Sequence, residues 1–115
     1  MHIQIKRAYD PPADSDGTRI LVDRLWPRGL TKDRARLDLW LKDIAPSTAL
    51  RQWFNHDPDK FAEFSRNYRA ELKKNPLVKE VAAMAREAMI TLVYAAKNPT
   101  CNHALVLKAA IERAA

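Results

Sequence analysis

The chain has 115 residues, a length typical of one compact domain that buries roughly two thirds of its unfolded surface without disulfides or metals. Hydrophobic residues make up 47% and charged residues 30%, which excludes a disordered chain and predicts a well-solvated surface. The formal net charge of +6 favours anionic partners and leaves nucleic acid open as one of them.

The composition also bears on location. The longest mostly apolar run, residues 88–96, is far shorter than the roughly 20 residues that span a bilayer. The first residues lack the apolar region of a signal peptide. The single cysteine, Cys101, excludes an intrachain disulfide and agrees with a reducing compartment. We therefore expect a cytoplasmic protein with no membrane segment.

Four segments have the patterns of β-strands. Residues 3–8 alternate between apolar and polar side chains, and residues 18–22 form a β-branched and apolar run. Residues 37–41 also alternate, although Trp40 could instead belong to a helix. Residues 90–96 are nearly continuous in apolar side chains, which is typical of a central strand in a parallel sheet.

Helix-start signals, in most cases a capping side chain beside a proline, precede the predicted helices. They stand at Thr31, Ser47, Asp57, Asn75 and residues 98–100, and the last helix is expected to run from Cys101 to about Arg113. Phe61, Phe64, Tyr68 and Leu72 recur at helical spacing after the third signal. Together the elements predict an α/β fold: a small single domain, residues 1–115, with a mostly parallel sheet of about four strands flanked by helices.

Charged side chains directly follow the second predicted strand, at Asp23, Arg24 and Arg28. The sequence Trp-Pro-Arg-Gly at residues 26–29 predicts a type I turn with Arg28 exposed at its tip. Ligands of open α/β sheets bind beyond the carboxyl ends of the strands, so this junction predicts an anion site. Arg24 and Arg28 would hold the anion, and Asp23 would orient the arginines.

A second junction follows the strand predicted at residues 90–96. If the two strands are parallel neighbours, both loops open at one edge of the sheet, and free N–H groups of Cys101, Asn102 and His103 face the same space. His103 is a candidate general acid or base, with packing or capping as the alternative, and Asp23 is the second catalytic candidate. Further candidate ligand-binding residues, each close to a predicted strand end or helix start, are Tyr9, Lys97, Asn98 and Asn102.

Other chemistry has less support. An inert Cys101 is favoured over a nucleophile because no second cysteine and no obvious base flank it. The chain contains only two glycines, which excludes P-loop and dinucleotide-binding fingerprints. The spacing of His, Cys and Asp does not predict a metal site, and no cofactor is expected.

Several segments are similar to a known family: Lys-Arg-Ala-Tyr-Asp at residues 6–10, Leu-Val-Asp-Arg-Leu-Trp-Pro-Arg-Gly at 21–29, Ala-Pro-Ser-Thr at 45–48, Tyr-Ala-Ala-Lys-Asn at 94–98 and Asn-His-Ala at 102–104. Over essentially its whole length the chain resembles the YeaO-like branch of the family called domain of unknown function 488. The resemblance implies a small α/β domain with a largely parallel sheet. It supplies no established biochemical activity.

The chain also departs from the wider family in three places. The resemblance implies a Val-Asp-Val-Arg-type pattern at a strand end, which residues 22–24 match in altered order. Residues 102–104 stand where the family has Cys-His-Arg, so the resemblance implies thiol chemistry only if Cys101 substitutes from one position away. Broader members have a helix where this chain has the proline-rich loop at residues 10–17, which leaves the direction of the first strand open.

The sequence leaves three functions open. The first is binding of a phosphorylated small molecule or nucleotide at the carboxyl edge of the sheet, with or without catalysis, by a monomer or a homodimer. The second is a nucleic-acid-binding module that uses the basic residues between Arg24 and Arg36 and between Arg66 and Lys74. The third is a protein-interaction domain without a ligand.

Overall fold

The structure, a computed structural model, describes residues 1–114. Its strands are β1 (Ile3–Arg7), β2 (Thr18–Leu21), β3 (Leu39–Trp40) and β4 (Ile90–Tyr94). They form one sheet of four strands in the order β1-β4-β2-β3, and every neighbouring pair is parallel. The predicted α/β class and parallel sheet are confirmed.

The helices follow the predicted start signals. They are α1 (Lys32–Ala35), α2 (Thr48–Phe54), α3 (Phe61–Lys73), α4 (Leu77–Glu87) and α5 (His103–Ala114). The side chains of Thr31 and Ser47 accept hydrogen bonds from the first turns of α1 and α2, as N-caps do. Asp57 opens a short 3₁₀ turn, and α3 begins after it. Across residues 1–114 no helix has both the length and the apolar character needed to cross a membrane.

β4 is the central strand that its apolar sequence predicts. It pairs with β1 on one side and β2 on the other, and all five of its residues are buried. Ile5 of β1 lies opposite Leu92 of β4 in a parallel register, so the direction of the first strand is now known. β3 covers only two residues, Leu39 and Trp40, which is shorter than the segment 37–41 expected from its alternation.

The two faces of the sheet pack against different parts of the chain, because successive strand residues point to opposite sides. Ile20 and Leu92 face the larger core, which contains the apolar residues of α2 to α5. Leu21 and Val93 face a smaller core that residues 26–40 cover with two tryptophans and two leucines. The four longer helices therefore lie on one face, and the loop that contains α1 lies on the other.

A buried ion pair attaches the proline-rich loop to the sheet. Arg19 Nη1 lies 2.6 Å from Asp16 Oδ2, and Arg19 Nε and Nη2 both donate to the Ala35 carbonyl. Asp16 also accepts from Lys6 Nζ and from the Ala13 N–H. Burial raises the pKa of Asp16, but these donors outweigh it and hold that pKa below its usual value. The sequence identified this segment only as a proline-rich loop.

Candidate functional site

A cleft of about 750 Å³ lies at the carboxyl ends of β2 and β4. Because these strands are parallel neighbours, the loops that follow them leave the sheet at the same edge. The structure brings every candidate site residue from the sequence to this cleft: Tyr9, Asp23, Arg24, Arg28, Lys97, Asn98, Asn102 and His103. The two junctions singled out in the sequence thus surround one space.

The Asp23 side chain contacts both the loop after β4 and the first residue of α5. Its Oδ2 accepts a hydrogen bond from the Ala95 N–H at 2.9 Å, and its Oδ1 lies 3.0 Å from Nε2 of His103. Both carboxylate oxygens therefore face partners other than the arginines. The expectation that Asp23 orients Arg24 and Arg28 was wrong, because its carboxylate contacts His103 and the Ala95 N–H instead.

His103 Nε2 lies between two oxygens. It is 3.0 Å from the Val22 carbonyl oxygen and 3.0 Å from Asp23 Oδ1. The hydrogen-bond geometry is satisfied towards Val22, so the contact with Asp23 Oδ1 is electrostatic. The ring packs beside Tyr68, whose hydroxyl donates to the Ile44 carbonyl at 2.6 Å. Burial, and then the nearby carboxylates, raises the pKa of Tyr68 well above its usual value, so its hydroxyl stays protonated.

Arg24 lies against the loop before α2. Its Nε and Nη2 donate to the carbonyls of Pro46 and Ala45 at 3.3 and 3.4 Å. Its Nη1 lies 3.8 Å from a carboxylate oxygen of Asp43, a side chain that is 88% exposed, so this ion pair is weak. Arg24 therefore serves partly to hold the loop and has fewer free donors for a ligand.

Arg28 stands in a turn that begins one residue later than the sequence predicted. The Leu30 N–H donates to the Pro27 carbonyl at 3.3 Å, and Gly29, the third residue, has a φ of +77°. A positive φ at this position is typical of a type II turn, not type I. The Tyr9 hydroxyl donates to the Arg28 carbonyl at 2.8 Å. The Arg28 side chain remains exposed at the tip of the turn.

Asn98 and Asn102 border the cleft, but their side chains are engaged in the loop before α5. Asn98 Oδ1 accepts from the Cys101 N–H at 3.0 Å. Asn102 Oδ1 accepts from the Leu105 N–H at 3.1 Å, and its Nδ2 donates to the Asn98 carbonyl at 2.9 Å. Asn102 therefore caps α5, which begins two residues later than predicted, and the expectation of a free Cys101 N–H was wrong.

Sequence reasoning missed two basic residues of the cleft, Arg51 in α2 and His56 just after it. Asn55 and His56 both have positive φ angles, 46° and 57°, and they turn the chain at the end of α2. The preference of Asn for the left-handed region was the one local signal for this turn. Phe54 stacks on Phe64 with ring centroids 4.2 Å apart, which gives the cleft an apolar wall.

Positive charge predominates around the cleft. The side-chain nitrogens of Arg28, Arg51 and Lys97 form no ion pair with any carboxylate in residues 1–114, whereas Asp23 faces His103. Unpaired cations beside an apolar wall suit a small organic anion. In the part of the chain that the structure describes, no three His, Cys, Asp or Glu side chains are placed to hold a metal ion.

Comparisons with known proteins identify the family. Residues 2–115 match the family described as "Inactive DUF488-N3 subclade". The uncharacterized protein YeaO of Escherichia coli is 52% identical over 108 residues, which are 93% of this chain and 94% of that protein. The uncharacterized proteins Mb3100c of Mycobacterium bovis and Rv3073c of Mycobacterium tuberculosis are each 38% identical over 105 residues, 91% of this chain and 89% of theirs. No solved structure matches. The chain therefore belongs to the DUF488 family, in its inactive N3 subclade, and is YeaO-like, as the sequence motifs predicted.

Proposed function

We propose that the cleft binds a phosphorylated small molecule or a nucleotide. The observation that carries the proposal is the group of unpaired cations Arg28, Arg51 and Lys97 around a cleft at the carboxyl edge of a parallel sheet. Such edges are the usual ligand sites of α/β proteins, and guanidinium groups match the geometry of phosphate. We also propose that the protein is cytoplasmic and is a monomer or a homodimer. Its single cysteine agrees with a reducing compartment such as the cytoplasm.

We infer that the cleft binds its ligand without catalysing a reaction. The family's description names an inactive subclade. Of the two catalytic candidates, Asp23 is held by the Ala95 N–H and faces His103, whose Nε2 is already bonded to Val22. These contacts fit a binding site, and the family's description is what favours binding without a reaction.

Nucleic-acid binding is a second candidate with weaker support. The basic residues Lys32, Arg34 and Arg36 are exposed, on the face of the sheet that α1 helps to cover. Arg66 and Lys73 belong to α3, which packs on the opposite face. Lys32, Arg34 and Arg36 therefore lie on the other side of the sheet from Arg66 and Lys73, which does not favour one flat surface for an extended nucleic acid.

Calorimetric titration with inorganic phosphate, adenosine monophosphate and glucose 6-phosphate tests the proposed function. Arg28→Ala is expected to weaken binding about ten- to a hundredfold, because a charge-assisted hydrogen bond contributes about 1.5 to 3 kcal/mol. The matched control is Arg86→Ala, which removes an exposed arginine of α4 outside the cleft and is expected to bind as the parent does.

Two results would overturn the proposal. One is equal weakening by Arg28→Ala and Arg86→Ala, and the other is a parent protein that binds none of the three ligands. Tight binding of oligonucleotides, with an affinity that falls steeply between about 50 and 200 mM salt, would favour the second candidate instead.

A further inference from the structure

The contacts of His103 fix which ring nitrogen carries the proton. Nε2 lies 3.0 Å from the Val22 carbonyl oxygen and 3.0 Å from Asp23 Oδ1. A carbonyl and a carboxylate accept hydrogen bonds but do not donate them, so Nε2 must be the N–H nitrogen. The lone pair of the neutral ring is then on Nδ1.

Nδ1 forms no hydrogen bond and is not fully buried. Within residues 1–114, Asp23 Oδ1 is the one fully buried side-chain polar atom that lacks a hydrogen bond, so Nδ1, which also lacks one, keeps some exposure. His103 lines the cleft, and its side chain is 14% exposed. The cleft therefore contains a hydrogen-bond acceptor, Nδ1 of His103, beside the unpaired cations described above. The Asp23 contact holds the ring in the tautomer that has its proton on Nε2.

We propose that Nδ1 of His103 accepts a hydrogen bond from a hydroxyl group of the ligand whose phosphate binds Arg28 and Arg51. The ligand class is a sugar phosphate, free or as the ribose phosphate of a nucleotide. This inference rests on the proposed function and names the substrate class of the same cleft. A phosphate ester without hydroxyl groups would bury Nδ1 without a donor, and an unsatisfied polar group of this kind lowers affinity.

Substitution of His103 tests the inference with two probes, ribose 5-phosphate and inorganic phosphate, titrated calorimetrically at about pH 8. The amide of His103→Gln replaces the Nε2–H donor to Val22 but provides no acceptor at the position of Nδ1. We expect this variant to bind ribose 5-phosphate about three- to tenfold more weakly than the parent, which corresponds to one net hydrogen bond. Its affinity for inorganic phosphate should stay unchanged, because a phosphate held by Arg28 and Arg51 alone leaves Nδ1 to solvent in both proteins.

A measurement on the parent protein makes the test independent of the variant's folding. Long-range ¹H–¹⁵N NMR of the ring is expected to show the proton on Nε2 without ligand, and a Nδ1 shift with ribose 5-phosphate but not with inorganic phosphate. A proton on Nδ1, or equal affinity loss for both probes in His103→Gln, would overturn the inference and leave phosphate binding intact. A parent protein that binds neither probe would instead refute the proposed function, and this inference with it.

Discussion

Replacing Asp23 with Asn is expected to destabilise the protein by about 2 kcal/mol. The Asn side chain keeps one oxygen for the Ala95 N–H, which now donates to Asp23 at 2.9 Å. Its amide nitrogen then faces Nε2–H of His103, so two donors meet where a carboxylate stood 3.0 Å away. Asp23 and His103 are only 16% and 14% exposed, so solvent screens their attraction little. A hydrogen-bonded or paired charge in such a position contributes about 1.5 to 3 kcal/mol.

Urea unfolding followed by tryptophan fluorescence measures this loss of stability as a lower midpoint with an unchanged m-value. The expected change corresponds to a fall in Tm of roughly 8 °C. The control is Asp33→Asn, an exposed carboxylate on α1, for which we expect a change within about 0.5 kcal/mol. Parent-like stability of Asp23→Asn would refute the reasoning. So would simple additivity of Asp23→Asn and His103→Gln in the double variant, because contacting residues are coupled.

Three further predictions concern the loop between β1 and β2 and Arg19, the β2 residue that pairs with it. Arg19→Met is expected to lower the free energy of unfolding in urea by about 3 kcal/mol, since it leaves Asp16 buried with Lys6 as its remaining charged partner. A change below about 1 kcal/mol would contradict a stabilising buried ion pair. Gly17→Ala is expected to lower Tm by at least about 8 °C, because Gly17 has a φ of 64° and the new Cβ would collide with the Met89 carbonyl oxygen. An unchanged Tm would contradict this prediction and would show that the loop relaxes freely. Burial raises the pKa of Asp16, but its hydrogen bonds, including those from Lys6 and Arg19, lower that pKa below its usual value. The ionised Asp16 therefore stabilises the fold at pH values above the ordinary Asp pKa of about 4. That stability is lost as the pH falls through the lower folded value, and the unfolding free energy of Asp16→Asn should depend less on pH in this range than that of the parent.

Local patterns predicted most of the fold. The apolar residues of β4 indicated a central strand because a strand covered on both faces needs no polar side. The spacing of Phe64, Tyr68 and Leu72 predicted α3 because these residues form its buried face. The length of β3 was not predictable in this way, since it depends on how far Leu39 and Trp40 extend alongside β2.

The site was predictable only in part. Strand ends of parallel neighbours bring their loops together, and this rule alone placed Asp23 and His103 near one another. Their direct pairing joins residues far apart in the sequence, so no local pattern contained it. Arg51 and His56 were missed because α2 reads as an ordinary amphipathic helix, and its place beside the cleft depends on the packing of Phe54 against α3.

A crystal structure of the protein with ribose 5-phosphate tests the central claim, an anion site in the cleft, most directly. We expect phosphate oxygens within about 3 Å of the guanidinium nitrogens of Arg28 or Arg51, and a sugar hydroxyl in hydrogen-bond contact with Nδ1 of His103. A ligand bound only outside the cleft would contradict the account. An empty cleft, at a ligand concentration far above the dissociation constant measured in solution, would contradict it equally.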